Sequence, residues 1–272
     1  MRSPTALVWA LILALAAQNL CAAPKAQLWE FWTASDSKST LQVDHGAWQE
    51  FLDRYLDPGA DGINRIRYAR VTAEDRALLQ GYLGVLGRTD PRELHRTEQL
   101  AYWINLYNAL TVEVVLRHPE KDSILRMGKG LFSMGPWNEK LIELAGEPVT
   151  LNDVEHRILR PIWRDHRIHY VLNCASLGCP NLSGDVYTRS SLEDQLREAE
   201  TAYINHERAV TFNDGGGLRL SSIYKWYRDD FAPDSKGLLS YLADHHQSLA
   251  DRLRAHDRDV EFDYDWSLNR AD

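Results

Sequence analysis

One run with helical periodicity in the middle of the chain constrains the fold more than any other feature. From about Thr97 to His118 the residues Leu100, Trp103, Ile104, Tyr107, Leu110 and Val114 recur at spacings of three and four. Pro119 then stops the run, because it lacks an N–H and its ring clashes with the preceding turn. A helix of that length with a continuous apolar stripe has to be covered by other elements. Asn105 and Asn108 are three apart and so share a face beside the stripe. Amides in such a place are buried and need partners, so they are expected to tie the helix to a loop by hydrogen bonds.

The neighbouring segments supply candidates for that covering. Trp48, Phe51, Leu52 and Tyr55 predict a helix over 47–56, ended by Asp57-Pro-Gly. Thr72 with Asp75 has the spacing of a capping box and opens a helix to about Leu86, closed by Gly87. Residues 119–149 read as irregular, with a hairpin near Ile142–Val149 turning at Gly146-Glu147. Thr150 with Asp153 opens a short helix that Pro161 is expected to end. The alternating Arg167–Asn173 reads as a strand, and Ser190 with Glu193 starts a helix to about His206. Strands follow at Ala209–Phe212 and Leu218–Leu220 around Asp214-Gly-Gly-Gly, then helices near Ser222–Arg228 and Lys236–Arg254 and a last strand at Val260–Tyr264. Many helices, a few scattered strands and no βαβ alternation predict a mainly helical α+β domain over 46–272, with a small, mostly antiparallel sheet.

The N-terminus points to export. Arg2 precedes a twelve-residue apolar run, Ala6–Ala17, too short to span a bilayer of roughly 30 Å, and small residues follow at Ala22 and Ala23. Residues 1–22 are expected to be a cleaved signal peptide and 23–45 an extended, polar lead-in. Gln18 and Leu20 do not suit Cys21 as a lipid-attachment site. The protein is therefore placed in the periplasm or secreted, with no transmembrane segment after signal removal. The formal charge of −8, without a lysine-rich block, argues against nucleic acid as a partner. Nine Trp, twelve Tyr and 44% apolar residues are ample for a core.

Chemistry is concentrated in Asn173-Cys-Ala-Ser-Leu-Gly-Cys-Pro180, a loop directly behind the predicted strand. Cys174 is a candidate nucleophile if a group within reach lowers its thiol pKa. By strand parity it would share the apolar face of Ile168, Tyr170 and Leu172 and be an inert buried thiol. A third reading pairs Cys174 with Cys179 in a disulfide, with Gly178 turning the chain back. No G-x-S-x-G elbow surrounds Ser176, which argues against a serine hydrolase. His156 is the candidate base. It lies three residues from Asp153 and four from Arg160 on one helix face, with Asp153 or Glu155 to orient it. His156, His166 and His169 cluster in sequence, but neither H-E-x-x-H nor C-x-x-C occurs, so neither metal nor cofactor is expected.

The blocks Tyr102–Ala109, Leu151–Arg160, Arg167–Pro180 and Ser222–Phe231, with the closing Tyr264–Asn269, together resemble domain-of-unknown-function family 547, as found in exported bacterial proteins. The resemblance runs over roughly 94–269. It singles out Asn105, Asn108, Glu155, His156, Arg160, Asn173, Cys174, Ser176, Cys179 and Pro180 here, and it implies no assigned reaction. Plant relatives join the domain to a leucine-zipper region, which implies partner binding there; this chain has no such heptads. Two functions stand at this level. One is a binding or scaffold domain of the cell envelope, with an envelope protein or a small-molecule or peptide ligand as partner. The other is a thiol-dependent hydrolase or acyl/amide transferase using Cys174 and His156.

Overall fold

The computed structural model describes residues 24–130 and 134–271, so the apolar run, Cys21 and the expected cleavage point lie outside the described residues. Helix α1 (Gly46–Tyr55) buries Trp48, Phe51, Leu52 and Tyr55, the four residues whose spacing predicts it. A small antiparallel pair, β1 (Leu56–Pro58) and β2 (Asn64–Ile66), follows. Helix α2 (Ala73–Arg88) starts at Thr72, whose hydroxyl accepts from the Asp75 N–H. Gly87 does not close it, since the helix runs one residue further.

Helix α3 (Arg96–Arg117) is the element read from the long periodic run. It is more enclosed than a stripe implies: every residue from Glu98 to Val115 is buried. Polar residues survive there because each is bonded. Gln99 donates to the carbonyls of Ala34 (2.9 Å) and Pro91 (3.0 Å). Glu113 accepts from Arg76, Gln80 and Arg117.

The hairpin of β3 (Ile142–Leu144) and β4 (Glu147–Val149) turns at Ala145-Gly146, both at positive φ, one residue before the predicted turn. Helix α4 follows, a π-helical stretch (Asp153–Leu159) continuing as α-helix (Arg160–Trp163). Its start is the predicted capping box, with Thr150 and Asp153 each accepting the other's N–H at 3.0 Å. Pro161 does not end it. The missing N–H leaves a carbonyl without a partner on the turn before. The N-terminal segment satisfies that turn from outside: Gln27 N donates to His156 O and Trp29 N to Arg157 O, both at 2.9 Å. Within the expected polar lead-in most residues are exposed, but Trp32 is fully buried.

The predicted strand over 167–173 is a helical turn, α5 (Ile168–Val171). Ile168, His169, Tyr170 and Val171 are all buried, so the apparent alternation does not mark one wet and one dry face. The turn is launched locally by Asp165, whose carboxylate accepts from Arg167 N at 2.9 Å. Helix α6 (Leu192–Ile204) starts at Ser191, one residue after the predicted cap. Strands β5 (Val210–Phe212) and β6 (Leu218–Ser221) pair antiparallel, and β7 (Val260–Asp263) joins β6 in parallel. Between them lie α7 (Ile223–Trp226), α8 (Arg228–Phe231), α9 (Ser235–His245) and α10 (Ala250–Arg254), the last two being one helix in the sequence reading. The architecture is α+β, with a larger core around α3 and a smaller one around β5–β7 and α9. Among the described residues no helix is long and apolar enough to cross a membrane.

Candidate functional site

The cysteine loop leaves α5 and is held on both sides by chain remote in sequence. Asn108 donates to Val171 O (2.9 Å) and accepts from Asn173 N (2.8 Å). Asn105 bonds both backbone groups of Tyr187. The two amides thus tie α3 to the loops on either side of the cysteines, as their spacing predicts. Asn173 folds the loop on itself, accepting from Ala175 N (2.9 Å) and donating to Pro180 O (2.7 Å). Ala175 sits at φ 60°, a left-handed conformation that costs a non-glycine residue on the order of 1 kcal/mol. The C-terminal segment clamps the far side, with Leu177 N on Ser267 O and Gly178 N on Asp265 O. A Cβ at Gly178 would lie 2.8 Å from Asp265 N, so glycine serves close approach here and not the chain reversal expected of it.

Both cysteines are free thiols; the disulfide reading is not what the structure contains. Cys179 is buried and accepts from Cys174 N at 3.0 Å. Cys174 is half-buried, so strand parity misplaces it. Its Sγ lies 3.2 Å from both the Ser176 and the Tyr264 hydroxyls. The Cys179 side chain does most to lower the Cys174 thiol. Burial opposes it, and the Ser176 and Tyr264 hydroxyls bring the thiol down to about 7. Burial pushes the Cys179 thiol and the Tyr264 phenol well up, so both keep their protons to donate.

Cys174 and Cys179 line a cavity of about 600 Å³ that also includes Glu155, His156 and His169. Leu172, Ile223 and the aromatic rings of Trp137, Trp226, Tyr227, Tyr264 and Trp266 form an apolar part of the remaining wall, and Lys129, Asn138, Glu139 and Asn152 a polar part. Tyr107 and Tyr227 feel the charges of both Glu155 and Cys174. Glu155 is buried, and burial favours its acid form. His156, His169 and Arg160 outweigh that and hold it below the usual glutamate range. His169 Nε2 bonds Asp230 Oδ2 at 2.7 Å, and its ring stacks on Tyr227 at 4.0 Å. Arg160 Nε reaches the same Asp230 oxygen at 2.6 Å, and its Nη1 lies 3.1 Å from His156 Nδ1. Burial lowers the His156 imidazole below its usual value despite Glu155.

His156, Glu155, Arg160 and the cysteine loop are therefore brought together, but His156 makes no hydrogen bond to Cys174. Asp153 does not orient it: that carboxylate caps α4 and pairs with Arg157 at 2.7 Å. Sequence reasoning misses Asp230, Tyr227 and Tyr264 as members of the site, and treats His169 only as part of a metal cluster. Of that cluster His166 leaves for Glu200, while His156 and His169 flank Glu155 at 3.9 and 3.7 Å. Cys174 and Tyr264 are 90 residues apart, a distance that local pattern does not bridge.

Residues 91–204 match the model of a family described as Protein of unknown function, DUF547. The matched stretch supplies α3, α4, the cysteine loop and α6, whereas Tyr227, Asp230 and Tyr264 lie beyond it. No curated protein and no solved structure matches the chain.

Proposed function

We propose that this cavity is the active site of a thiol-dependent hydrolase or acyl transferase with Cys174 as nucleophile. One observation carries the reading: the Cys174 sulfur is free, reaches the cavity, and is bonded by donors that bring its pKa to about 7. At neutral pH a large fraction is then thiolate, the form that attacks carbon. The sulfur pair would add to a carbonyl carbon, the C=O pair would move onto oxygen, and collapse would expel the leaving group, with a proton taken from solvent where it is an amine or an alcohol, to give a thioester. Water or an acceptor nucleophile would then add to that thioester, lose its proton to solvent and release the thiolate. The aromatic wall suits an acyl group with an apolar part. The apolar run near the N-terminus supports a periplasmic or secreted setting, so envelope esters, thioesters or amides are the substrate class.

The experiment uses 4-nitrophenyl acetate on the protein, with adducts located by peptide mass mapping. An acetyl group on Cys174, lost in Cys174→Ala, is expected. An acetyl group elsewhere, or none, removes the nucleophile. A second reading rests on the aromatic wall itself: an envelope-binding domain that holds an apolar ligand or peptide without turnover. It predicts binding that survives Cys174→Ala and no adduct.

A further inference from the structure

We infer that His156 serves this site as a neutral hydrogen-bond donor, holding the oxygen of the acyl group through Nε2–H, and does not act as the base that ionises Cys174. The inference rests on the thiol reading above and assigns the role of the second functional group in it.

A guanidinium only donates. With Arg160 Nη1 at 3.1 Å, His156 Nδ1 has to offer its lone pair, and the single proton of the neutral ring then sits on Nε2. Arg160 is not free to swing away. Its Nε is held by Asp230 at 2.6 Å, its Nη1 by Pro24 O at 2.8 Å, and its charge lies 4.9 Å above the Tyr227 ring. Among the described residues the His156 Nε2 makes no hydrogen bond, and this buried residue lines the same cavity as Cys174. A ring in this tautomer has no lone pair on Nε2 with which to take a thiol proton.

Burial, more than any neighbouring charge, keeps the ring neutral. Glu155, 3.9 Å from Nδ1, and Asp230 favour protonation, while burial, Arg160 and His169 oppose it and prevail. His169 does not replace it as a base. Its Nε2 is bonded to Asp230, its Nδ1 lies 3.7 Å from Glu155, and one ring face is covered by Tyr227. The thiolate needs no imidazole, because Cys179, Ser176 and Tyr264 stabilise it. In the step itself the sulfur pair forms the C–S bond and the C=O pair moves to oxygen. His156 Nε2–H bonds that oxygen without giving up its proton. With a nitrophenyl ester the leaving phenolate departs with the bonding pair and needs no acid.

Two measurements test this. Nitrogen NMR of the ring-labelled wild-type protein is expected to show His156 neutral with the proton on Nε2 at pH 6.5, where a free imidazole is about half charged. A proton on Nδ1, or a charged ring, overturns the inference. Acetylation of Cys174 by 4-nitrophenyl acetate is expected to fall on the order of 10²-fold or more in His156→Leu, the usual cost of one lost oxyanion donor. His156→Gln, which can donate but not act as a base, should stay within tenfold of wild type. Equal loss in both variants restores the base and sinks the inference while Cys174 still labels in the wild type. No labelling of wild-type Cys174 sinks the thiol reading itself.

Discussion

Two clusters of histidine, carboxylate and tyrosine lie close together in this protein, and only one faces the cavity. In the first, Glu155, His156, His169 and Asp230 are joined by Arg160, Tyr107 and Tyr227. In the second, Glu200 accepts from the Tyr241 hydroxyl (2.7 Å), bonds His166 Nε2 (2.8 Å), and has His245 at 3.9 Å. Phe231 separates them, with ring contacts to His169 on one side and His166 on the other. The residue types are nearly the same. What differs is the surroundings: the second opens on a surface depression among Arg164, Arg167 and Arg197, with no sulfur near, and it pins α6 to α9. A histidine–carboxylate pair is thus more often a fastener than a catalyst, and a neighbouring nucleophile with room beside it makes the difference.

The sharpest way to break this comparison is to remove the two carboxylates in turn. Asp230→Asn strips one partner from both Arg160 and His169. A quarter of Asp230 is exposed, so the loss is expected at about 2 kcal/mol rather than the larger cost of a fully buried pair. Burial works to raise the Asp230 carboxyl, but the bonds from His169 and Arg160 hold it well below the usual range. Its contribution is therefore present above the unfolded value near 3.8 and lost as pH falls below it. Urea midpoints of wild type and variant should differ at pH 6 and converge towards pH 3. Divergence on acidification contradicts the sign.

A smaller effect sharpens the sulfur side. Tyr264→Phe takes one of the donors from the Cys174 thiolate, so the midpoint of iodoacetamide alkylation should rise from about 7 by roughly one unit. At pH 7 that is about fivefold slower labelling. An unchanged midpoint would mean that the phenol does not stabilise the thiolate. The smallest effect belongs to the second cluster: Glu200→Gln should leave Cys174 labelling within about twofold of wild type while costing about 1 kcal/mol in stability. If labelling collapses as well, the two clusters act as one unit and the contrast fails.

Much of the scaffold is legible in the residues themselves. Thr72 and Thr150 announce helix starts through reciprocal local bonds, and α1 and α3 show in their apolar periods. Asn105 and Asn108 are readable as loop ties because buried amides have few alternatives. The misreadings share a cause. Residues 168–171 have buried neighbours on every side, so alternation is no guide to strand. Pro161 is tolerated only because Gln27 and Trp29, over 120 residues earlier, supply donors to the turn before it.

Local sequence, then, determined the α+β class, the long central helix, the loop with its two sulfurs and the membership of Glu155 and His156 in one helical turn. Tertiary structure alone decided that Tyr264 donates to Cys174 and that Asp230 holds Arg160 and His169. It decided too that Asp230 and Pro24 hold Arg160 against His156 Nδ1. The physical reason is range: hydrogen bonds and charge pairing act over about 3 to 4 Å through space. The groups that set this sulfur and this imidazole arrive from far along the chain, Tyr264 from 90 residues away.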